Sequence, residues 1–348
     1  MKNIKLANLK ERDLFYFGER VEPYFVTWIT ISGMQDIKRS IKLFDVKSVV
    51  RWLQVNDYLY QFVSDLSDIE KEITKKLKHE SGRYVDHLIK DCLKSGEKLQ
   101  KQSIYFGQTA KDLIAREEMA EEILEYTKAA TQYTVYYQIT FFERSIMRLA
   151  QKIVKRYAKS EQATRQLLDL ITVADRLTAV EYEQDDFLRL AISNQKEKDA
   201  LAEKHAKKYG WLSIRYFLGE SWTKNDVLAR LNGVDEAYAK SELAARLSHR
   251  QERESLISEA TRKFSIKDKK IVRQIRQLVF LRTQRGDFFH ESAYHVRPLL
   301  DKIAVELSVE YADLLHLSGE EVALALKGET DYLERVTKRK KSFLIYHD

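Results

Sequence analysis

The stretch IVRQIRQLVFLRTQRGDFFHESAYHVRPLLDKIAVEL, residues 271–307, decides the fold. Its apolar positions Ile271, Ile275, Leu278, Val279, Phe289, Ala293, Val296, Leu300, Ile303 and Leu307 fall at three- and four-residue steps, the period of one helix face. Following that stripe places Arg282 and Arg285 on the inward face. Pro298 interrupts it, as a kink or as the first residue of a new helix after Arg297.

Outward from this segment the same pattern prevails. Thr223 with Asp226 reads as an N-cap pair opening DVLARL, closed by Gly233; Ser318 with Glu321 reads as a capping box opening EVALAL, closed by Gly328. Ser308 is placed to cap a short helix, VEYADLL. Upstream, one long helix or two is expected from about Thr109 to Tyr157, glutamates early and lysine and arginine late, as the helix dipole prefers. From Leu14 to about Ala130 the pattern gives several helices, with breaks near Pro23, Ser32-Gly33, Gly82, Ser95-Gly96 and Gly107.

Composition agrees. Over 348 residues there are only 2 prolines and 11 glycines, too few breakers for the many turns of an all-β or α/β chain. The fold class expected is all-α: a multi-helix bundle in two helical subdomains, 1–160 and 161–335, followed by a basic segment, 336–348, with room for a short C-terminal strand. The 44% of hydrophobic and 32% of charged residues exclude disorder and a membrane interior alike. ITISGM and YYQITFF fall well short of the ~18–20 apolar residues of a spanning helix. The single Cys92 cannot pair within the chain, and the start MKNIKLANLKERD lacks a signal-peptide core, so a cytoplasmic location is expected.

Few motifs carry chemistry. The chain has neither a Walker-type glycine loop nor G-x-G-x-x-G. His290 and His295 are five residues apart and diverge on a helix, so no metal site is expected. Cys92, with His87 five positions before it, reads as a small buried residue rather than a nucleophile. The aromatic run Tyr133, Tyr136, Tyr137, Phe141 and Phe142 reads as core first and as a pocket wall second. Arg282 and Arg285 must be paired or face a polar cavity, since a guanidinium buried alone would cost several kcal/mol. They suit salt bridges to a neighbouring helix or a bidentate grip on phosphate or carboxylate. The net charge of +7 is intermixed, and clusters such as Lys75-Lys76-Lys78 and Lys338-Arg339-Lys340-Lys341 lack a recognition element, which weighs against nucleic acid.

EYEQDDFLRLA (181–191) and LAEKHAKKYGWLSIRYFLGESWTKNDVLARL (201–231) resemble the segment before the phosphohistidine domain of phosphoenolpyruvate synthase-like and rifampicin phosphotransferase-like enzymes. In that family a helix ending in His…Tyr-Gly-Trp, here His205, Tyr209, Gly210 and Trp211, precedes a short loop and a Thr-capped helix, here opened by Thr223. Residues 281–328 and the tail YLERVTKRKKSFLIYHD are similar to the arginine-bearing helix, the capped helix and the strand-like lead-in that follow. The resemblance covers roughly residues 180–348.

It implies a helical acceptor-binding or linker portion of a phosphotransferase, truncated or encoded as a split protein. An ATP-grasp domain and a phosphohistidine swivelling domain would lie in the same or another chain, using ATP or phosphoenolpyruvate with Mg and a small-molecule acceptor. No cofactor is assigned to this chain itself. Ser248-His249 lacks the small, glycine-rich surroundings of a phosphoacceptor and is set aside. The residues expected to face the acceptor or the docked domain are His205, Tyr209, Trp211, Arg282 and Arg285. The rival expectations are a non-catalytic helical scaffold binding a protein partner and a basic nucleic-acid-binding helical protein.

Overall fold

The computed structural model describes residues 10, 13–19, 21–44, 50–79, 83–112 and 115–346, without the side chains of 77–79 and 140–144. In chain order the elements are β1 (Leu14–Glu19), α1 (Tyr24–Met34), α2 (Ile37–Phe44), β2 (Trp52–Val55), β3 (Tyr58–Phe62), α3 (Val63–His79), α4 (Arg83–Thr109), α5 (Arg116–Thr134) and α6 (Thr140–Tyr157). There follow α7 (Glu161–Ile171), α8 (Ala179–Ile192), α9 (Lys198–Tyr209), α10 (Lys224–Leu231), α11 (Glu236–Ala260), α12 (Ile266–Glu306), α13 (Tyr311–Leu314), α14 (Gly319–Leu326), α15 (Tyr332–Lys341) and β4 (Leu344–Tyr346). The fold is predominantly all-α, with one small sheet. Among the described residues no helix is long and apolar enough to cross a membrane.

Helix α12 is the axis. Ser265 caps it, its hydroxyl accepting the Asp268 N–H at 3.1 Å, and 41 residues follow, about 60 Å of helix. It runs unbroken through Pro298. Helix α4 lies along it in the same direction, as successive pairs show: Gln274 with Asp86, Phe288 with Gly96, Ser292 with Ser103. Two glycines set the spacing. A Cβ on Gly96 would stand 2.2 Å from the Phe288 ring, and one on Gly107 1.9 Å from the His295 carbonyl oxygen. The sequence-based breaks at Ser95-Gly96 and Gly107 are therefore corrected: glycine there admits a neighbouring helix, and α4 is continuous. The expected break at Gly82 lies outside the described residues.

The long pattern over 109–157 resolves into α5 and α6, joined by 3₁₀ turns at Val135–Ile139. Both expected boxes form: Asp226 N–H reaches the Thr223 hydroxyl at 3.2 Å and Glu321 N–H the Ser318 hydroxyl at 3.3 Å, each acid returning a bond to the cap residue's own N–H. Ser308 instead takes a left-handed φ of 55°, and α13 begins after Glu310 without a side-chain cap.

The sheet is an addition to the expected helices. Its order is β1-β3-β2-β4, antiparallel throughout. The hairpin β2–β3 turns on Asn56-Asp57, with Asn56 at φ 50°, a conformation asparagine tolerates better than most residues. The expected C-terminal strand is present as β4, laid against β2.

One large apolar cluster runs from Phe25 to Ile345 and takes in α1, α4, α5, α12 and α14. A second, smaller one joins Phe187, Leu188, Ala202, Ala206, Val227 and Ala239 of α8–α11. The division expected near residue 160 does not coincide with either cluster. Residues on both sides of it share the main core, because α12 packs lengthwise on α4, and α8–α11 carry the smaller cluster.

Candidate functional site

Three- and four-residue steps along α12 bring Arg282, Arg285, Gly286 and His290 to one hollow. The sheet covers it with Phe17, Trp52, Gln54 and Leu59; α1 contributes Thr30, Ile31 and Met34; Glu22, Tyr137 and Tyr216 complete the wall. The cavity measures about 120 Å³. Arg285 is 8% exposed and its guanidinium carbon lies 5.6 Å from the Tyr137 ring centre. Its backbone carbonyl accepts the Tyr133 hydroxyl at 3.0 Å, which anchors this turn of α12 against α5. Arg282 lines the same cavity but its residue is exposed, so the inward placement expected of both arginines holds fully for Arg285 alone.

Behind Arg285 lies Cys92. Burial pushes its thiol up to about 12, against the pull of the Arg285 charge and a Tyr133 hydrogen bond, so it remains a protonated core residue. In the aromatic run, Tyr133 and Tyr136 are core, whereas Tyr137 reaches the cavity; Phe141 and Phe142 lie outside the described side chains.

His205, Tyr209 and Trp211 belong to a different place. His205 Nε2 stands 3.0 Å from Glu183 of α8, whose carboxylate also takes Arg230 at 2.8 Å. Burial pushes Glu183 up, but the His205 and Arg230 contacts outweigh it and hold the carboxyl below its usual range. The Tyr209 hydroxyl donates to Asp186 at 2.7 Å, and burial raises it to about 12. His205 and Tyr209, with Asp186, Arg189, Lys204 and Lys208, line a second hollow of about 250 Å³. Trp211 is buried in the 3₁₀ turn Gly210–Ser213 and lines neither hollow. The five expected residues thus divide: Arg282 and Arg285 share one cavity, His205 and Tyr209 another, because the His-Tyr-Trp corner is built into α8–α11.

Sequence reasoning missed Glu22, Trp52, Gln54 and Tyr216, which reach the first cavity from segments far from α12 in the chain. It weighed His290 only as half of a metal-binding pair with His295 and set that pair aside. One signal was available in Gly286, a glycine deep inside a long helix. Among the described residues no three His, Cys, Asp or Glu side chains come together to hold a metal ion. The C-terminal basic cluster is engaged internally: Arg339 binds Glu321 at 2.7 Å and stacks 3.7 Å from the Tyr24 ring centre, Lys338 pairs with Glu334 and Lys340 with Asp313. What the first cavity offers chemically is binding: planar cationic forks beside aromatic and aliphatic walls, suited to an oxyanion on an apolar body. In comparisons with known proteins, no family model matches the chain and no curated protein matches it.

Proposed function

We propose that the chain is the helical acceptor-binding portion of a cytoplasmic phosphotransferase resembling phosphoenolpyruvate synthase. In this reading the phosphoryl group passes from ATP or phosphoenolpyruvate to a histidine on a swivelling domain, in the same or another chain. The P–N bond then breaks as a P–O bond forms to the acceptor, whose proton leaves to solvent or a nearby base. The ATP-grasp and swivelling parts supply the nucleotide, metal and histidine chemistry; this chain holds the acceptor.

The observation that carries the reading is the cavity between α12, α1 and the sheet, where Arg282 and Arg285 meet aromatic walls. Guanidinium forks orient carboxylate or phosphate bidentately, and a hollow closed on several sides excludes the water that would compete for phosphoryl transfer. The α8–α11 unit, which bears most of the 181–231 similarity, is stiffened by the Glu183–His205–Arg230 and Asp185–Arg250 contacts. That stiffness suits a brace for a mobile domain.

The test is to mix the chain with a cognate histidine domain and follow labelled phosphate onto candidate acceptors. Transfer that is lost in Arg285→Met supports the reading. Absence of both transfer and docking with every cognate domain overturns it. Docking without transfer would leave the scaffold reading in its place.

A further inference from the structure

We propose that the hollow between α8 and α9 binds a small hydroxylated phosphate monoester, its phosphate on Arg189, Lys204 and Lys208 and a hydroxyl on His205. This is a second site, apart from the cavity beneath the sheet, and it does not rest on the acceptor reading.

Charge is the first observation. Asp186, Arg189 and Leu190 on α8, and Leu201, Lys204, His205 and Lys208 on α9, recur at three- and four-residue steps, so each helix turns one face to the hollow. Three cations there surround one carboxylate. Asp186 uses both of its oxygens: Oδ1 accepts from Arg189 at 2.8 Å, and Oδ2 from Lys208 at 2.9 Å and from the Tyr209 hydroxyl at 2.7 Å. Lys204 is unlike the other two, for among the described residues it makes neither a hydrogen bond nor an ion pair. Asp186 therefore tethers two of the cations and neutralises one charge, leaving an excess of two with His205 neutral. A phosphate monoester, doubly ionised above about pH 6, balances that excess, whereas a carboxylate would balance half of it. The tethered Arg189 and Lys208 keep further N–H groups for its oxygens.

The neighbouring cations Lys207 and Lys224 are instead matched, by Glu203 at 2.6 Å and by Asp199. The positive excess thus centres on the hollow, which suits one phosphate rather than the successive phosphates of a nucleic acid.

His205 is the second observation. Its side chain is 4% exposed and borders the hollow. Glu183, held ionised, only accepts hydrogen bonds, so His205 Nε2 carries the hydrogen that it donates to Glu183 at 3.0 Å. In the neutral ring Nδ1 is then an acceptor, and no described residue donates to it. A buried acceptor that the protein leaves unmatched beside a hollow calls for a donor on the ligand, and a hydroxyl supplies one. The volume of about 250 Å³, against the ~150 Å³ that holds a benzene ring, admits about ten non-hydrogen atoms, a three-carbon polyol phosphate. Leu190 and Leu201 would meet its carbon chain.

The experiment is calorimetric titration of the whole chain with glycerol 3-phosphate, propyl phosphate and glycerol. Glycerol 3-phosphate is expected to bind at millimolar concentration or below, several-fold more tightly than propyl phosphate, which lacks the hydroxyls, while glycerol does not bind. Lys204→Met should weaken binding about tenfold without lowering the melting temperature, because Lys204 has no partner in the chain to lose. Lys207→Met removes the same charge three residues along α9 and should bind as the wild type does. Equal weakening by the two substitutions, propyl phosphate or glycerol bound as tightly as glycerol 3-phosphate, or no binding at millimolar concentration would each overturn the proposal. Binding is read without phosphoryl transfer, so its failure leaves the acceptor reading standing and its success does not support that reading.

Discussion

Replacing Asp287 with asparagine should make the protein more stable at pH 8 and leave it unchanged at pH 4. Asp287 follows Gly286 on α12. Burial, then the neighbouring Glu291 charge, raise its carboxyl from 3.8 to about 7, although it accepts the Ala179 N–H at the start of α8. The folded value lies above the unfolded one. The favourable part, a protonated Asp287, is therefore complete below about pH 4 and is lost as pH rises through about 7. A shift of about three units corresponds to about 4 kcal/mol at most. Asparagine keeps an oxygen for the Ala179 N–H and carries no charge, so the variant escapes that loss. With an unfolding entropy of about 2.1 cal/mol/K per residue over 348 residues, 4 kcal/mol amounts to about 5 °C in melting temperature if the chain unfolds as one unit. Paired melts at half-unit steps from pH 4 to 9 give the difference curve. It should climb through pH 5–7 and level off above; a flat difference, or an asparagine variant less stable at pH 8, would refute the reasoning.

Two further substitutions probe the packing. Gly96→Ala should destabilise by about 1–3 kcal/mol, since its methyl would enter the Phe288 ring, and less in a Phe288→Leu background, a non-additivity that urea unfolding of the four proteins measures. Arg250→Met leaves Asp185, 2% exposed, buried without its guanidinium partner and should cost about 3–5 kcal/mol, read as faster hydrogen exchange confined to α8–α11. Adding Asp185→Leu should return most of it, because two apolar groups of similar shape need no partner.

The second half of the chain was largely readable from its residues, because its helices announce their own ends. Thr223, Asp226, Ser318 and Glu321 form the boxes their spacing predicts, and Gly328 closes α14 at φ 102°. The sheet was not readable in the same way. Its strands are three to six residues long, too short for a two-residue period to stand out from a helical one, and the turn at Asn56-Asp57 lacks the glycine that usually marks such hairpins. Arg285 could be placed inward because it lies on a long apolar stripe. His205 could not be assigned its partner, since Glu183 is 22 residues away on another helix and only the packing of α8 on α9 brings them to 3.0 Å. The cavity itself was beyond sequence reach: its walls come from segments as distant as Phe17 and His290.

The pairing of β4 with β2 has a consequence for the order of events in synthesis. Residues 344–346 hydrogen-bond to residues 53–55, and Asn56 and Phe343 exchange a further pair of bonds at 2.8 and 3.0 Å, so nearly the whole described chain is looped between the two partners. Closing so long a loop is entropically costly and gains little until the intervening helices have shortened it. On a ribosome the hairpin would wait for its last strand while α4, α5 and α12 assembled. The sheet that covers Arg285 and Gly286 would gain its fourth strand after those helices had packed, with Tyr346 coming to lie beside Leu53.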